Sequence, residues 1–237
     1  MNLTPPPAAT APNLQALREA YRRDKAALVA TLFAPLPTVR GIHGLLRKFT
    51  RLADRLLQTL WKASALHPGL ALLAVGGFGR GQLLPYSDVD VLVLLPDSSH
   101  AALGTDTRAR VEDFIRNCWD AGLEIGSSVR SVQECLEEAA GDVTVQTSLL
   151  EARRICGSAS REFRASIDPR AFLTAKTLEM RQRHNKYENT AYALEPNAKE
   201  SPGGLRDLQT ILWVADAAGL GQGWRALAAS GLATPYE

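Results

Sequence analysis

Two aspartates separated by one residue, Asp88 and Asp90, stand at the head of an apolar run that continues through Val91, Val93, Leu94 and Leu95. In an extended strand, the two-residue repeat puts both carboxylates on one face. Two carboxylates at the edge of a buried strand repel each other and resist burial unless a cation neutralises them. The pattern therefore points to a divalent metal, and oxygen donors with no cysteine or histidine nearby select Mg²⁺ or Mn²⁺ over zinc. Upstream lie Gly76, Gly77, Gly79 and Gly81, with Arg80 among them. Glycines let backbone N–H groups approach an anion closely, and Arg80 adds a fixed positive charge, a combination suited to cradling a triphosphate. Gln82 stands where a dinucleotide fingerprint would need glycine and a P-loop would need lysine, so neither motif is met.

These residues need a scaffold. The chain has 237 residues, of which 46% are hydrophobic and 22% charged, with a formal net charge of +2. Those are the proportions of a folded globular protein with interspersed charge, so no nucleic-acid-binding face is implied by charge alone. No apolar run reaches the ~20 residues a bilayer span needs, and no signal peptide opens the sequence, so the expected location is the cytoplasm. The three cysteines, Cys118, Cys135 and Cys156, are widely spaced and read as reduced and mostly buried.

Residues 1–12 are expected to be a flexible tail, and residues 13–33 and 38–66 to be helices that precede the first strand. Strands are expected at 70–75, 89–95 and 123–129, with the first two joined by a loop over 76–88. Helices are expected at 107–120 and 132–140. Beyond about Asp142 helical patterns take over, at 144–154, 160–167, 169–193 and 205–218. The fold class is thus α+β: a small mixed sheet flanked by helices over residues 13–141, followed by an all-helical portion over 142–237.

The helical portion holds a second basic constellation. Lys199, Arg206 and the Gly203-Gly204 pair ahead of a helix N-terminus could bind an anion, or the glycines could form a tight turn with Asp207 in the helix's first turn. His184, with no acidic residue adjacent in sequence, reads as a surface histidine on a polar helix face, and Arg181, Arg183 and Lys186 as a solvated run. Trp61, Trp119, Trp213 and Trp224 read as core positions.

The spacing of Gly76-Gly77 to Ser87-Asp88-Val89-Asp90 resembles the nucleotidyltransferase superfamily of DNA polymerase beta, whose motif is a glycine pair, nine to thirteen residues, then [DS]-x-D. That resemblance implies a third carboxylate on a neighbouring strand completing a two-metal site. Glu124, in Gly122-Leu-Glu-Ile-Gly126, is the natural candidate and Glu151 the runner-up. The segments GGFGRGQLLPYSDVDVLVL, GLEIGSSVRSVQECL, TSLLEARRICG and EPNAKESPGGLRDLQTILWVA, in that order over roughly residues 40–235, more closely resemble the N-terminal part of the bifunctional PII uridylyltransferase/uridylyl-removing family. The resemblance implies that Gly76, Gly77 and Ser87 hold the triphosphate and that Asp88, Asp90 and Glu124 hold the metals. It implies further that the 197–207 loop completes the nucleotide or protein-substrate side of the cleft. The nucleotide would be UTP and the acceptor a tyrosine hydroxyl of a PII signalling protein. Residue chemistry alone does not separate UTP from ATP or CTP. A transferase acting on a small molecule or another protein, or an inert nucleotide-sensing module, are the competing readings. The chain has no His-Asp dipeptide and ends within a helical pattern, so the uridylyl-removing and glutamine-sensing functions are not expected of these residues.

Overall fold

The computed structural model describes residues 13–33, 38–96, 104–158, 163, 166–192 and 194–234. The expected tail at 1–12 and most of the expected helix at 160–167 lie outside the described residues. The elements are α1 (Leu14–Ala30), α2 (Val39–Ala63), β1 (Ala71–Ala74), α3 (Gly76–Gly79), β2 (Val89–Leu95), α4 (Thr105–Asp120), β3 (Ile125–Ser131), α5 (Val132–Gly141), α6 (Val143–Leu150), β4 (Arg153–Gly157), α7 (Pro169–Asn185), α8 (Leu205–Ala217) and α9 (Trp224–Ala229). They fall into two compact units, residues 1–135 with 151–160 and residues 136–150 with 161–237.

The first unit is built on a four-stranded mixed sheet in the order β3-β2-β1-β4. β1 runs antiparallel to both β2 and β4. β2 and β3 are parallel, and a parallel pair needs a crossover, which α4 supplies. One face of the sheet (Leu72, Ala74, Val89, Val91, Val93, Leu95 and Ile125) packs into a core with α1, α2 and α4. α2 is the largest contributor. Its Leu45, Phe49, Leu52, Leu56, Leu57 and Leu60 recur at helical spacing and are buried, and Thr38 caps its start by accepting the Gly41 N–H at 3.1 Å.

β4 corrects the sequence reading. A helix over 144–154 fits the spacing of Leu149 and Leu150, but α6 stops at Leu150, and residues 153–157 return to the sheet as an edge strand. Three smaller differences follow. α7 stops at Asn185 instead of continuing to Ala193, the expected open loop at 76–88 begins with the helical turn α3, and α9 has no counterpart in the sequence reading.

In the second unit the described regular elements are helices. Leu150, Phe172 and Trp213 form a small buried cluster with Val143, Ile167, Val214 and Ala217 around it. α7 begins as its sequence suggests, with Pro169 in the first turn and Asp168 accepting the Arg170 N–H at 3.0 Å. Of the tryptophans, Trp213 is buried and Trp61 meets Phe114 edge-on, whereas Trp119 is exposed and is no core residue. Cys118 and Cys135 are buried free thiols and Cys156 is half-buried. Burial pushes the Cys118 thiol up to about 12, which makes it unreactive.

Candidate active site

Strand directions decide what meets at one end of the sheet. Because β1 is antiparallel to its neighbours, its C-terminal end lies beside the N-terminal ends of β2 and β4, and β3 starts alongside β2. The glycine turn after β1, Asp88 and Asp90 on β2, the approach to β3 at Glu124, and residues 151–153 are therefore brought to the same end.

The turn is tightly built. The Val75 N–H donates to the Asp90 carbonyl at 3.1 Å, extending the β1–β2 ladder by one bond. The Gly79 and Arg80 N–H groups then donate to the Val75 and Gly76 carbonyls at 2.9 and 3.1 Å, closing the helical turn. Beyond it, the Leu83 N–H donates to the Thr50 hydroxyl at 3.2 Å, and that hydroxyl donates to the Leu46 carbonyl at 3.0 Å. A buried threonine of α2 thus fixes the exit of the loop. Ser87 and Tyr86 are exposed beyond that anchor.

Asp90 lies on the face of β2 opposite the core valines, and Asp88 immediately precedes the strand. Asp88 is exposed and Asp90 half-buried. The parallel register pairs Asp90 with Gly126, and the Val89 N–H donates to the Glu124 carbonyl at 2.8 Å, so Glu124 comes opposite Asp88. Gly126 has a specific use here. A β-carbon at residue 126 would lie 2.6 Å from the Asp90 Oδ1, and one at Gly76 would lie 3.4 Å from its Oδ2. The carboxylate of Asp90 therefore rests in a space that a side chain on β3 would fill. Tyr21 of α1 lies near Glu124, and burial, assisted by the Glu124 carboxylate, pushes its phenol up to about 12. Among the described residues no three His, Cys, Asp or Glu side chains gather in one place so as to hold a metal ion. The strands bring Asp88, Asp90 and the approach to β3 at Glu124 to the same end of the sheet.

Arg80 and Glu151 take positions the sequence reading did not assign. Arg80 is no free-standing charge. Its Nη1 lies 2.5 Å from the Glu151 Oε1, and the Glu151 side chain is only 5% exposed. Two residues on, Arg153 donates twice to Asp54 of α2, at 3.0 Å each, with its guanidinium 5.3 Å from the centroid of Phe78 in the turn. Glu151, Arg153 and Asp54 were beyond reach of sequence spacing, since the pairs they form join residues 71 and 99 positions apart.

In the second unit the 197–207 loop is fully ordered by its own bonds. Asn197 Oδ1 accepts the Lys199 and Glu200 N–H groups at 3.0 and 2.9 Å. The Gly204, Leu205 and Arg206 N–H groups donate to the carbonyls of Ser201, Ala198 and Lys199 at 2.8, 2.9 and 2.9 Å. The Gly203 N–H donates to Asp207 Oδ2 at 2.7 Å. The Gly203 and Gly204 N–H groups are therefore used within a tight turn, which leaves the anion reading to the side chains of Lys199 and Arg206. Asp207 also receives Arg183 Nη2 at 2.5 Å and lies 2.9 Å from His184 Nε2, so His184 is a partnered histidine and Arg183 is buried instead of solvated. Lys199 is largely exposed. The Arg206 guanidinium lies 5.4 Å from the centroid of the Trp213 ring, with the buried Lys176 ammonium 4.5 Å from the same ring. Burial drives the Lys176 pKa down, against the stabilising Glu179 carboxylate.

Residues 57–145, which include the glycine turn, both aspartates and Glu124, match the nucleotidyltransferase domain family. Over those residues the chain is similar to a nucleotidyltransferase domain. Residues 171–237, which hold the ordered loop and α8, match the family described as GlnD PII-uridylyltransferase. Curated relatives named bifunctional uridylyltransferase/uridylyl-removing enzyme are similar over most of the chain. The protein of Burkholderia orbicola (strain AU 1054) is 58% identical over 203 residues, covering 83% of this chain and 23% of the relative. That of Burkholderia mallei (strain ATCC 23344) is 56% identical over 214 residues, 88% of this chain and 24% of the relative. That of Burkholderia vietnamiensis (strain G4) is 53% identical over 234 residues, 96% of this chain and 26% of the relative. The chain thus spans about a quarter of the length of the relatives it matches, at their N-terminal part. No helix among the described residues is long and apolar enough to cross a membrane.

Proposed function

We propose that the chain transfers UMP from UTP to a tyrosine hydroxyl of a PII signalling protein, releasing pyrophosphate, in a reaction that requires Mg²⁺ or Mn²⁺. The observation that supports this reading is Asp90 on the face of β2 away from the core, where Gly126 leaves room for its carboxylate, with Asp88 and Glu124 at the neighbouring strand starts. Uridylyl transfer and PII enter from the names of the matched family and relatives, and UTP as donor is what the resemblance implies.

In this reading Asp88, Asp90 and Glu124 hold the divalent cations. Bound there, the cations supply Lewis-acid chemistry, lowering the pKa of the acceptor hydroxyl and offsetting charge on the departing pyrophosphate. The chain's own residues bind and orient. Gly76 and Gly77 open the helical turn after β1, where the absence of side chains admits the phosphates, and Ser87 adds a hydroxyl on the approach to Asp88. Arg80 contributes a guanidinium to the same phosphates. In the second unit, Lys199 and Arg206 offer side-chain charge to an anion on the turn that Gly203 and Gly204 shape. No covalent enzyme intermediate is required. The setting is the cytoplasm, consistent with three free thiols.

The test is incubation of the chain with Mg²⁺, each labelled nucleoside triphosphate in turn and purified PII protein, following label transfer and pyrophosphate release. Transfer from UTP, reduced by roughly 10³-fold or more in Asp90→Ala, is the expected result. Mg²⁺-dependent nucleotide binding without transfer from any nucleotide would overturn it.

A further inference from the structure

We infer that Glu151 is a positioning residue that holds Arg80 against the glycine turn for the nucleotide's phosphates, and that it is not a ligand of the metal. The inference rests on the reading of the turn as the triphosphate site.

The guanidinium of Arg80 is held at two places. Its Nη1 meets the Glu151 Oε1 at 2.5 Å, and its Nη2 lies where a β-carbon on Gly77 would be 3.4 Å away. One nitrogen is thus tied to the carboxylate and the other lies over the glycine pair. A long arginine side chain ordinarily gives up much rotamer freedom on gripping an anion, and a pre-formed ion pair removes that cost before the nucleotide arrives. The carboxylate that does the holding is itself immobile. A β-carbon on Gly79 would lie 2.3 Å from the Glu151 carbonyl oxygen, so the turn and the backbone of residue 151 are in close contact. Two residues later the chain enters the sheet, where Arg153 pairs with Ala74 and is fixed to Asp54. The exposures are also telling. The Arg80 side chain keeps 24% of its surface open, whereas Glu151 keeps 5%. Arg80 can meet a ligand with its pair intact, but Glu151 could reach a metal only by abandoning a near-buried guanidinium.

The experiment is a double-mutant cycle on the full 237-residue chain, varying UTP and Mg²⁺ separately: Glu151→Gln, Glu151→Ala, Arg80→Ala and the Arg80→Ala/Glu151→Ala pair. Glu151→Ala should raise KM for UTP about tenfold and leave kcat within about twofold. Glu151→Gln keeps an acceptor for Arg80 and should recover most of that loss, and the double variant should match Arg80→Ala alone. A fall in kcat with a raised Mg²⁺ requirement would make Glu151 a metal ligand and overturn the assignment. Additive effects in the double variant, or a lower Tm with KM unchanged, would overturn it equally. If the wild-type chain transfers no UMP, the proposed function fails, and the cycle is read instead in the Kd for Mg-UTP by calorimetry. There, weaker binding in Glu151→Ala that vanishes in the Arg80→Ala background supports the inference, and an unchanged Kd refutes it.

Discussion

At Asp90 the sheet omits a side chain where one would collide with the carboxylate, and the omission can be reversed. Gly126→Ala places a methyl 2.6 Å from Oδ1, which forces the carboxylate to turn away. The core face of the sheet, carried by Val91 and Ile125, is untouched. We expect UMP transfer to fall at least about tenfold, equivalent to about 1.4 kcal/mol of transition-state stabilisation, while the far-UV spectrum and Tm stay near wild type. An alanine variant that transfers at the wild-type rate would show that the orientation of Asp90 is immaterial. The side of the sheet that Asp90 takes was legible from the sequence, because Val89, Val91 and Val93 alternate with it and face the core. The partners of Arg80 and His184 were not, because a side chain's charge gives no address. Glu151 and Asp207 lie 71 and 23 residues from the groups they pair with, and only tertiary packing brings them in.

Among the elements, strands β1, β2 and β3 and the long amphipathic α2 follow from their sequence patterns, whereas β4 does not. Arg153-Arg154-Ile-Cys-Gly157 is an edge strand with no clean alternation of buried and exposed positions, and the apolar spacing before it continues that of a helix. The two readings of α8's N-terminus could not be separated by sequence for a related reason. A glycine pair ahead of a helix looks like an anion cradle until the loop's own carbonyls and Asp207 are seen to occupy the donors. β4 also explains why the turn has glycine at residue 79. Gly79→Ala would press a methyl to within 2.3 Å of the Glu151 carbonyl, so β4 or α3 must shift. We expect a loss of about 2 kcal/mol in urea unfolding together with a raised KM for UTP. Loss of neither would mean that the turn and β4 move independently.

For the molecule as a whole, alkaline pH is the informative variable. Tyr21 ionises near 10.0 when unfolded but at about 12 in the fold, first because it is buried and second because Glu124 is near. Between those values the folded state keeps a proton the unfolded state has lost, so the tyrosine's contribution is whole below pH 10 and disappears as pH climbs through about 12. Urea unfolding at stepped pH should show a steeper alkaline decline for the wild type than for Tyr21→Phe; parallel curves would contradict the burial of this phenol. The pairing of β2 with β3 has a consequence of its own. Sliding one strand by a single residue would exchange its two faces, setting Leu123 or Ile125 where Glu124 stands and turning carboxylates toward α2. The alignment that excludes water from the interior is the same one that sets Asp90 beside Gly126. Assembly is therefore self-proofreading: a misaligned molecule loses its core first, so every cooperatively unfolding molecule in a preparation should carry Asp90 beside Gly126.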